Sequence, residues 1–416
     1  MDNGQAAILC GGLGKRLRPL TETVPKPMVD VNGAPFLEHL VQQLIAQGVT
    51  RIVLMTGYLG DQIREHFGTG QRYGCDIIYS HGSESWSTGR RLLEARASLD
   101  ERFFLLYADN FALVDLQQLL TFHLREGSNL TLMLAPKAHG NIGDFDNGRI
   151  GCYDPDRTVP DLDHVEIGYM VANRDPLLSV LGELADAPDT NLSDAMQRMV
   201  VRGEVAGVPV VGGYYSISDP ERLEQTRDYF SPKKLLLIDR DGVVNHRADC
   251  GEYISYWDDF QFIDDALAAL GSLARHGFRF IVISNQAGIS RGMVDPQDLE
   301  DIHHKMVRTM ARQGIDVVGV YVSPHHWDEG SPMRKPEPGM FLQASKEHLF
   351  RLDHVLYVGD DLRDCQAAAN AGCGMVFLGE PPLREDMPPT GLPQRSFMTF
   401  TEAVPFIVDH YSGNLP

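Results

Sequence analysis

Four short polar segments in the C-terminal half of the chain carry the residue types that bind phosphate and metal ions. They are Asp239-Arg240-Asp241-Gly242, Ser284-Asn285, Arg334-Lys335-Pro336 and Gly359-Asp360-Asp361. Three of them directly follow an apolar run, and continuous apolar runs are typical of buried parallel strands. Because open α/β sheets bind ligands beyond the carboxyl ends of such strands, we expect these segments to meet at one sheet edge. Carboxylates, a hydroxyl, an amide and a lysine gathered there suit Mg²⁺ and phosphate.

The composition of the 416-residue chain indicates a globular protein. Its length predicts two or three domains, and its apolar fraction of 43% is enough for sizeable cores. The net charge of −20 disfavours nucleic acid, which needs a basic face, and also disfavours anionic membrane surfaces. Phosphorylated sugars stay compatible with this charge, because local cations and metal ions can hold them. We therefore expect no nucleic-acid partner and no membrane partner.

Targeting and redox features predict a cytoplasmic location. Residues 1–5 show no basic region followed by an apolar core, as a secretory signal would. No apolar run approaches the roughly 20 residues of a membrane-spanning helix. The six cysteines are scattered and form no CxxC pair, which is typical of reduced thiols.

Both halves of the chain alternate strand and helix patterns. One example is an apolar strand at 6–10, followed by a helical apolar face at 36–45 and a further strand at 51–55. Strand-helix-strand order with short links implies right-handed crossovers. We therefore predict an α/β protein made of two Rossmann-like three-layer α/β/α domains with mostly parallel sheets. The predicted domains are 1–230 and 233–385, and a tail at 386–416 has an apolar pattern that predicts a closing helix.

The paired carboxylates in the C-terminal half suit phosphoryl transfer. Asp239 and Asp241 are two residues apart at a strand end, so both side chains can face the same side. One carboxylate can attack phosphorus, and the other can protonate the leaving oxygen and later activate water. Asp360 would complete a Mg²⁺ site, supported by Asp361. Lys335 would bind the transferring oxygens.

These segments resemble the four motifs of the haloacid dehalogenase superfamily of phosphatases. The longer stretches at 239–245, 284–292 and 334–340 are similar to the branch of D,D-heptose 1,7-bisphosphate phosphatases and histidinol phosphatases. The resemblance implies Asp239 as nucleophile and Asp241 as acid and base. It also implies Mg²⁺ held by Asp239, Asp360 and the Asp241 carbonyl group. We assign phosphate and substrate binding to the following residues: Ser284, Asn285, Arg334 and Lys335.

One loop departs from that branch. Many of its members carry a zinc loop, C-x-H followed by C-x-C, just before the lysine motif. Here the matching stretches are 323–326 and 331–333, and they contain no cysteine. A structural zinc site needs four ligands, so we expect no zinc. His325 and His326 are then expected at the surface or at the rim of the substrate site.

The N-terminal half carries a glycine-rich loop after its first strand. The run from Gly11 to Thr21 matches neither a Walker A loop nor a Rossmann fingerprint. Glycines with cations nearby can still wrap a triphosphate through backbone N–H groups. Lys26 adds a cation on a proline-stiffened loop. Asp109 follows an apolar strand at 103–107, which makes it a candidate Mg²⁺ ligand.

This order resembles the sugar-1-phosphate nucleotidyltransferase family. The segments Pro25-Lys26-Pro27-Met28, 31–38 and Ser87-Thr88-Gly89 are similar to the heptose-1-phosphate and mannose-1-phosphate guanylyltransferase branch. In that family a sugar phosphate attacks the α-phosphorus of a nucleoside triphosphate, and pyrophosphate leaves. The resemblance implies nucleotide binding by Gly11, Gly12, Gly14, Arg16 and Lys26. In detail, Arg16 would steady the pyrophosphate, Lys26 the reacting phosphates and Asp109 the metal.

The N-terminal half also departs from its family. Ser216 stands where the family has a second metal-binding aspartate, and the Glu-Lys pair of the sugar-binding strand is absent near 149–154. A hydroxyl is a poor substitute for a carboxylate on Mg²⁺. Transfer would then rely on Asp109 with triphosphate oxygens, or on a contribution from Glu166.

The favoured hypothesis is a fused pair of consecutive steps in nucleotide-sugar synthesis. A phosphatase domain would remove the 7-phosphate of a heptose 1,7-bisphosphate, and a transferase domain would activate the remaining 1-phosphate with GTP. Two sites on one chain raise the local concentration of the intermediate. Two alternatives stay open: a phosphatase with a nucleotide- or sugar-binding module, and a phosphatase acting on histidinol phosphate.

Overall fold

The chain forms two compact units, Met1–Asp228 and Tyr229–Pro416. The computed structural model describes residues 4–146, 148–184, 190–210, 212–249, 251–380 and 392–413. Among these residues, no helix combines the length and the apolar character that crossing a bilayer demands. Part of the predicted tail, 386–391 and 414–416, lies outside the described residues.

Unit 1, the N-terminal unit, alternates strands and helices. Its strands are β1 (Gln5–Leu9), β2 (Asp30–Val31), β3 (Ala34–Pro35), β4 (Arg51–Thr56), β5 (Asp76–His81), β6 (Arg102–Tyr107), β7 (Asn110–Ala112), β8 (Leu130–Pro136), β9 (Ile142–Asp146), β10 (Arg149–Tyr153), β11 (His164–Asn173), β12 (Val205–Pro209) and β13 (Tyr214–Ser216). Its helices are α1 (Phe36–Ala46), α2 (Gly60–Phe67), α3 (Thr88–Ala95), α4 (Leu116–Glu126), α5 (Arg174–Glu183), α6 (Leu192–Val201) and α7 (Pro220–Phe230), the last of which runs through the unit boundary.

The main sheet of unit 1 has nine strands in the order β5-β4-β1-β6-β11-β8-β12-β10-β9. The strands β5, β4, β1 and β6 are parallel, as the strand-helix-strand pattern predicts. Helix α1 also forms as predicted, and its periodic apolar face is buried. Beyond β6 the sheet is mixed, because β11 runs antiparallel to β6 and β8. Strands β9 and β10 lie so close in sequence that they pair as an antiparallel hairpin.

Unit 2, the C-terminal unit, contains one six-stranded sheet and five helices among the described residues. Its strands are β14 (Leu235–Ile238), β15 (Arg279–Asn285), β16 (Val317–Ser323), β17 (Leu356–Gly359), β18 (Gly374–Leu378) and β19 (Arg395–Phe397). Its helices are α8 (Asp264–Arg275), α9 (Pro296–Arg312), α10 (Gly339–His348), α11 (Leu362–Ala371) and α12 (Phe400–Tyr411). Short 3₁₀ turns occur in both units at Lys15–Leu17, Leu20–Glu22, Lys26–Met28, Gln71–Tyr73, Arg96–Ser98, Trp257–Asp259 and Leu352–His354.

The sheet of unit 2 is entirely parallel in the order β16-β15-β14-β17-β18-β19. Strand β14 is buried along its whole length between β15 and β17. Its continuous apolar sequence is what a strand covered on both faces requires. The α/β fold class predicted from the sequence is confirmed. Its parallel character is complete in unit 2 and partial in unit 1.

Candidate active sites

The predicted polar segments of unit 2 meet at the carboxyl edge of its sheet. Strands β15, β14 and β17 are adjacent and parallel, so the residues that follow them reach the same end. A cavity of about 480 Å³ opens there. Six residues predicted from the sequence line it: Asp239, Asp241, Ser284, Asn285, Arg334 and Lys335. Asp360 lies beside it, with a carboxylate oxygen no more than 4.8 Å from the nearest ligand atom of Asp239.

Asp239 and Lys335 form a buried ion pair at the centre of this site. The distance between Lys335 Nζ and Asp239 Oδ1 is 2.8 Å. The same oxygen accepts a bond from the Arg240 backbone N–H at 2.8 Å. Burial raises the pKa of the Asp239 carboxyl, and the charge of Lys335 opposes that effect. Within the described part of the chain, both hydrogen bonds to Asp239 go to Oδ1, so Oδ2 is available to react.

Asp364 completes the buried charge network, although the sequence reasoning missed it. Its Oδ1 accepts bonds from Lys335 Nζ at 2.7 Å and from the Tyr357 hydroxyl at 2.9 Å. Its Oδ2 accepts the backbone N–H groups of Asp360 and Asp361 at 3.2 and 3.1 Å. Asp364 therefore fixes both the lysine and the acidic loop. The capping box between Asp361 and Asp364 at the start of α11 was the available sequence signal.

Asp241 is held by three side chains that donate to its carboxylate. Arg240 donates at 2.9 Å, Asn245 at 2.9 Å and Gln286 at 2.7 Å. Burial acts to raise the pKa of Asp241, but these donors together keep it below its usual value. Behind them, burial and the charge of Arg240 lower the pKa of His303 to about 3. The neutral His303 ring therefore accepts a bond from Arg240 at 3.0 Å.

The strand end of β15 contributes both a binding group and a structural clamp. The buried Ser284 hydroxyl accepts a bond from Gln286 Nε2 at 2.8 Å, and Gln286 thereby links Ser284 to Asp241. The side chain of Asn285 bonds the Lys335 backbone twice, at N–H and at C=O, each at 3.0 Å. Asn285 therefore positions the lysine loop, while its predicted contact with substrate stays a prediction.

The acidic residues of unit 2 fit a hard divalent cation. Asp239, Asp360 and Asp364 each offer a ligand oxygen, and these oxygens lie within 4.8 Å of one another. The Arg247 guanidinium sits 2.6 Å from Asp360 Oδ1 and 3.2 Å from the Asp241 carbonyl oxygen, so positive charge is already favoured there. Because the Asp364 oxygens are engaged elsewhere, Asp239, Asp360 and the Asp241 carbonyl group are the donors best suited to Mg²⁺.

Arginines and aromatic residues form the outer rim of the cavity. Arg291, Arg334, Arg363 and Trp327 line it, and Arg334 donates to the His325 carbonyl oxygen at 2.9 Å. In the loop where relatives carry zinc ligands, His325 pairs with Glu329 and His326 with Asp328. These carboxylates hold the two imidazoles in the loop. The absence of zinc stays a prediction.

In unit 1 the glycine-rich loop borders a second cavity of about 500 Å³. Every nucleotide-site residue predicted from the sequence lines it: Gly11, Gly12, Gly14, Arg16, Lys26 and Asp109. The loop follows β1, and Asp109 follows the neighbouring parallel strand β6, so the sheet brings them together. Gly14 adopts a φ of 61°, in the left-handed region that favours glycine.

Arg91 supports the glycine-rich loop through hydrogen bonds and was not predicted from the sequence. It is buried on α3 and donates to the carbonyl oxygens of Thr56 at 2.8 Å, Ser83 at 2.8 Å and Gly11 at 3.1 Å. A Cβ atom on Gly11 would lie 2.2 Å from the Arg91 guanidinium carbon, so this close approach requires glycine. An arginine in a short helix gives no sequence signal for such burial.

Asp109, predicted from the sequence as a metal ligand, lies on one side of this cavity. Lys26 Nζ lies 2.5 Å from Asp109 Oδ2. Ser216 is buried on β13 opposite Asn110, and its hydroxyl oxygen accepts the Ser218 backbone N–H at 3.2 Å. Among the described residues that line the cavity, Asp109 is the one carboxylate. The hydroxyl at 216 thus accepts a hydrogen bond within a local turn.

Comparison with known proteins finds a family match in each half of the chain. Residues 5–145 match the family model for nucleotidyl transferase, and residues 234–370 match the model for polynucleotide kinase 3 phosphatase. D-glycero-β-D-manno-heptose-1,7-bisphosphate 7-phosphatase of Bordetella bronchiseptica is 36% identical over 161 residues, covering 39% of this chain and 89% of the relative.

Two further comparisons concern the other half of the chain. D-glycero-α-D-manno-heptose 1-phosphate guanylyltransferase of Aneurinibacillus thermoaerophilus is 37% identical over 133 residues, covering 32% of this chain and 57% of that protein. A solved structure described as a glucose-1-phosphate thymidylyltransferase of Bacillus anthracis has a TM-score of 0.50 at 19% identity, covering 54% of this chain and 93% of the other. This last likeness shows the fold alone. The chain belongs to the family of D-glycero-β-D-manno-heptose-1,7-bisphosphate 7-phosphatases and carries, in addition, a nucleotidyl transferase domain in its N-terminal half.

Proposed function

We propose that this chain catalyses two consecutive steps of nucleotide-sugar synthesis. Unit 2 hydrolyses the 7-phosphate of D-glycero-D-manno-heptose 1,7-bisphosphate with Mg²⁺. Unit 1 then transfers a guanylyl group from GTP to the remaining 1-phosphate and releases pyrophosphate. The proposal is supported by relatives named for each step and by the predicted site residues that line one cavity in each unit.

The phosphatase step assigns a role to each buried group of unit 2. Asp239 Oδ2 attacks phosphorus, and the bond from phosphorus to the leaving sugar oxygen breaks. Asp241, which the incoming anionic phosphate favours in its protonated form, gives that oxygen its proton. Water then attacks phosphorus, the bond from phosphorus to Asp239 Oδ2 breaks so that inorganic phosphate leaves, and Asp241 takes the water's proton. Lys335 and Ser284 bind the phosphoryl oxygens, where negative charge grows in the transition state. Arg334 and Arg291 at the rim suit the distal phosphate of a bisphosphate.

Magnesium would be held by Asp239, Asp360 and the Asp241 carbonyl group, and would neutralise the phosphate so that an anionic carboxylate can approach it. Residues of the chain position the reacting groups. Gln286 keeps the Asp241 carboxylate aimed at the site, and Asp364 holds Lys335 in place.

The transferase step is assigned to the cavity of unit 1. A phosphate oxygen of the sugar 1-phosphate attacks the α-phosphorus of GTP, and the bond to the bridging oxygen of pyrophosphate breaks. In this proposal Lys26 binds the reacting phosphates, Arg16 the departing pyrophosphate and Asp109 the metal ion, and all three line the cavity. The glycine loop presents backbone N–H groups to the triphosphate. GTP as the donor is proposed from the named relative.

The observation that carries this proposal is the buried Lys335–Asp239 pair beside the acid cluster of Asp360 and Asp364. Its test measures phosphate and pyrophosphate release from one preparation of the full-length protein. The relatives are named for different anomers, β for the phosphatase and α for the transferase, so both anomers of the bisphosphate are supplied. We expect one anomer to yield phosphate and then, with GTP, pyrophosphate. A dephosphorylated product that is never guanylylated would contradict consecutive steps.

The alternatives from the sequence are tested in the same assay. Histidinol phosphate carries a single phosphate, whereas the site has additional cations at its rim, Arg291, Arg334 and Arg363. We therefore expect phosphate release from heptose bisphosphate to exceed that from histidinol phosphate. The phosphatase-only alternative is not favoured, because the predicted transferase residues share one cavity and the N-terminal half matches a transferase family.

We also propose that the protein acts in the cytoplasm, where nucleoside triphosphates are available. Cys10, Cys75, Cys365 and Cys373 are free thiols, in keeping with a reducing compartment.

A further inference from the structure

A second polar cluster of unit 1 lies beside the transferase cavity and has no role in the steps above. Glu166 lies near the start of β11, and Asn141 directly precedes β9. Asn141 Nδ2 donates to Glu166 Oε2 at 3.3 Å. The Glu166 carboxylate also accepts a hydrogen bond from its own backbone N–H. Asn141 is only 5% exposed, and its Oδ1 meets no hydrogen-bond donor among the described residues. Such a group costs about 1–3 kcal/mol unless a partner arrives.

The fold places this cluster next to the reacting centre. Asn110 Nδ2 donates to the Ile167 carbonyl oxygen at 3.1 Å, which ties the strand segment carrying Glu166 to the loop of Asp109. Gly168 packs so closely on Tyr107 that a Cβ atom there would lie 2.6 Å from the ring. Tyr107 itself lines the transferase cavity. The pairing of β11 with β8 shifts register between Glu166 and Met170, so a strand irregularity lies directly after Glu166.

The side chains of this cluster favour a ligand that carries several hydrogen-bond donors. A carboxylate and an amide oxygen are hydrogen-bond acceptors, and they are short of donors here. Burial raises the pKa of Glu166, and the charges of Arg157 and Lys137 oppose that effect. The Lys137 backbone N–H donates to the carbonyl oxygen of Asp163, three residues before Glu166, at 2.7 Å. The Asp154 backbone N–H ties the loop of Arg157 to the Asn141 carbonyl oxygen at 2.8 Å. Arg157 is carried on a loop that the Asp154 carboxylate folds by accepting the Thr158 and Val159 backbone N–H groups. Acceptors flanked by cations suit a hydroxylated anion and disfavour a second divalent metal ion.

We infer that Glu166 and Asn141 bind the hydroxyl groups of the acceptor sugar in the transferase step, and that Lys137 and Arg157 provide positive charge for its phosphate. This inference rests on the proposed transferase function. The ligand class is therefore a polyhydroxylated sugar 1-phosphate. Glu166 and Asn141 determine sugar specificity and take no part in nucleotide binding.

The test uses the full-length protein, GTP, Mg²⁺ and heptose 1-phosphate, with pyrophosphate release as the readout. Glu166→Gln keeps the shape of the side chain and removes the charge. We expect the KM for the sugar phosphate to rise by about tenfold or more, because a hydrogen bond to a charged group is lost, while the KM for GTP is unchanged. Asn141→Ala is the second variant. Glu183→Gln, a surface carboxylate paired with Arg202, is the matched control and should change neither constant.

Deoxy analogues of the sugar phosphate separate ligand binding from a structural role. If Glu166 accepts a sugar hydroxyl, the wild-type protein should release pyrophosphate more slowly with the one monodeoxy analogue that lacks this hydroxyl. In Glu166→Gln, removing the same hydroxyl from the sugar should cause no additional loss of rate. An unchanged KM for the sugar phosphate in both variants would overturn this inference and leave the proposed transferase function standing. A raised Mg²⁺ requirement with an unchanged sugar KM would overturn it in favour of a metal ligand. A wild-type protein that releases no pyrophosphate with any sugar phosphate would overturn the proposed transferase function itself.

Discussion

Gly242 and Asp360 lie so close together that a Cβ atom on residue 242 would sit 1.9 Å from Asp360 Oδ2. Gly242 also has a φ of 94°, a backbone conformation that residues other than glycine rarely adopt. Two independent constraints therefore require glycine in the first acidic loop. The consequence is that the metal-binding carboxylate of Asp360 can approach the loop that carries Asp239 and Asp241.

Gly242→Ala should displace Asp360 and weaken magnesium binding. We expect phosphate release to fall by about 100-fold or more, because removing one preorganised group at a charged centre costs this much. Gly292→Ala is the control, since Gly292 also has a positive φ of 66° but faces open space. It should cost only the backbone strain of roughly 1–2 kcal/mol in stability. Equal activity of the two variants would show that Asp360 tolerates the displacement.

Arg247→Ala should strengthen magnesium binding in the absence of substrate. The Arg247 guanidinium contacts Asp360 Oδ1 and the Asp241 carbonyl oxygen, two of the groups assigned to the metal. Removing a partly exposed ion pair worth about 1 kcal/mol should lower the Kd for Mg²⁺ by roughly fivefold in titration calorimetry. Arg291→Ala is the matched control, because Arg291 lines the same cavity but bonds the Tyr253 hydroxyl. Weaker binding in Arg247→Ala would contradict a competing role.

Asp364→Asn should destabilise unit 2 and reduce phosphatase activity. The carboxylate of Asp364 is buried and faces the ammonium of Lys335 at 2.7 Å. Losing one partner of a buried ion pair costs roughly 3 kcal/mol. In scanning calorimetry this corresponds to a fall in the Tm of about 6–12 °C for a unit of this size. The control Asp301→Asn breaks an exposed pair with Lys305 and should shift the Tm by less than about 2 °C.

Lys26→Ala should reduce pyrophosphate release without affecting phosphate release. Lys26 lines the transferase cavity and pairs with Asp109. We expect a loss of about 100-fold in the transferase rate, because a cation that stabilises the reacting phosphates is removed. Phosphate release from the same preparation serves as the internal control. A parallel loss of both activities would argue that Lys26 supports folding of the chain instead.

The strand-end chemistry was predictable because it depends on local order. An apolar run followed by Asp239 and Asp241 marks a buried strand and its polar end, and parallel pairing then brings separate ends together. The closeness of Lys335 to Asp239 also follows from family resemblance. The strand ends themselves can be predicted because each depends on a short stretch of neighbouring residues.

The supporting residues were not predictable because their roles arise from tertiary packing. Asp364 and Arg91 lie on helices where acids and arginines are common at the surface, yet both are buried. Asp364 bonds the side chain of the distant Lys335, and Arg91 bonds backbone carbonyl groups of other segments. Gln286 follows a predicted motif residue, but only the placement of β14 beside β15 brings it to Asp241. The antiparallel strands of unit 1 were missed because the sequence reasoning extended the parallel pattern of its first strands to the whole unit.

The most direct test of two separate active sites measures both products for two variants. Asp239→Asn removes the attacking carboxylate, and Asp109→Asn removes the carboxylate of the transferase cavity. We expect Asp239→Asn to lose phosphate release by on the order of 10³-fold or more while pyrophosphate release from supplied heptose 1-phosphate is unchanged. Asp109→Asn should show the reverse. Retention of phosphate release by Asp239→Asn, or loss of both products in either variant, would contradict the account.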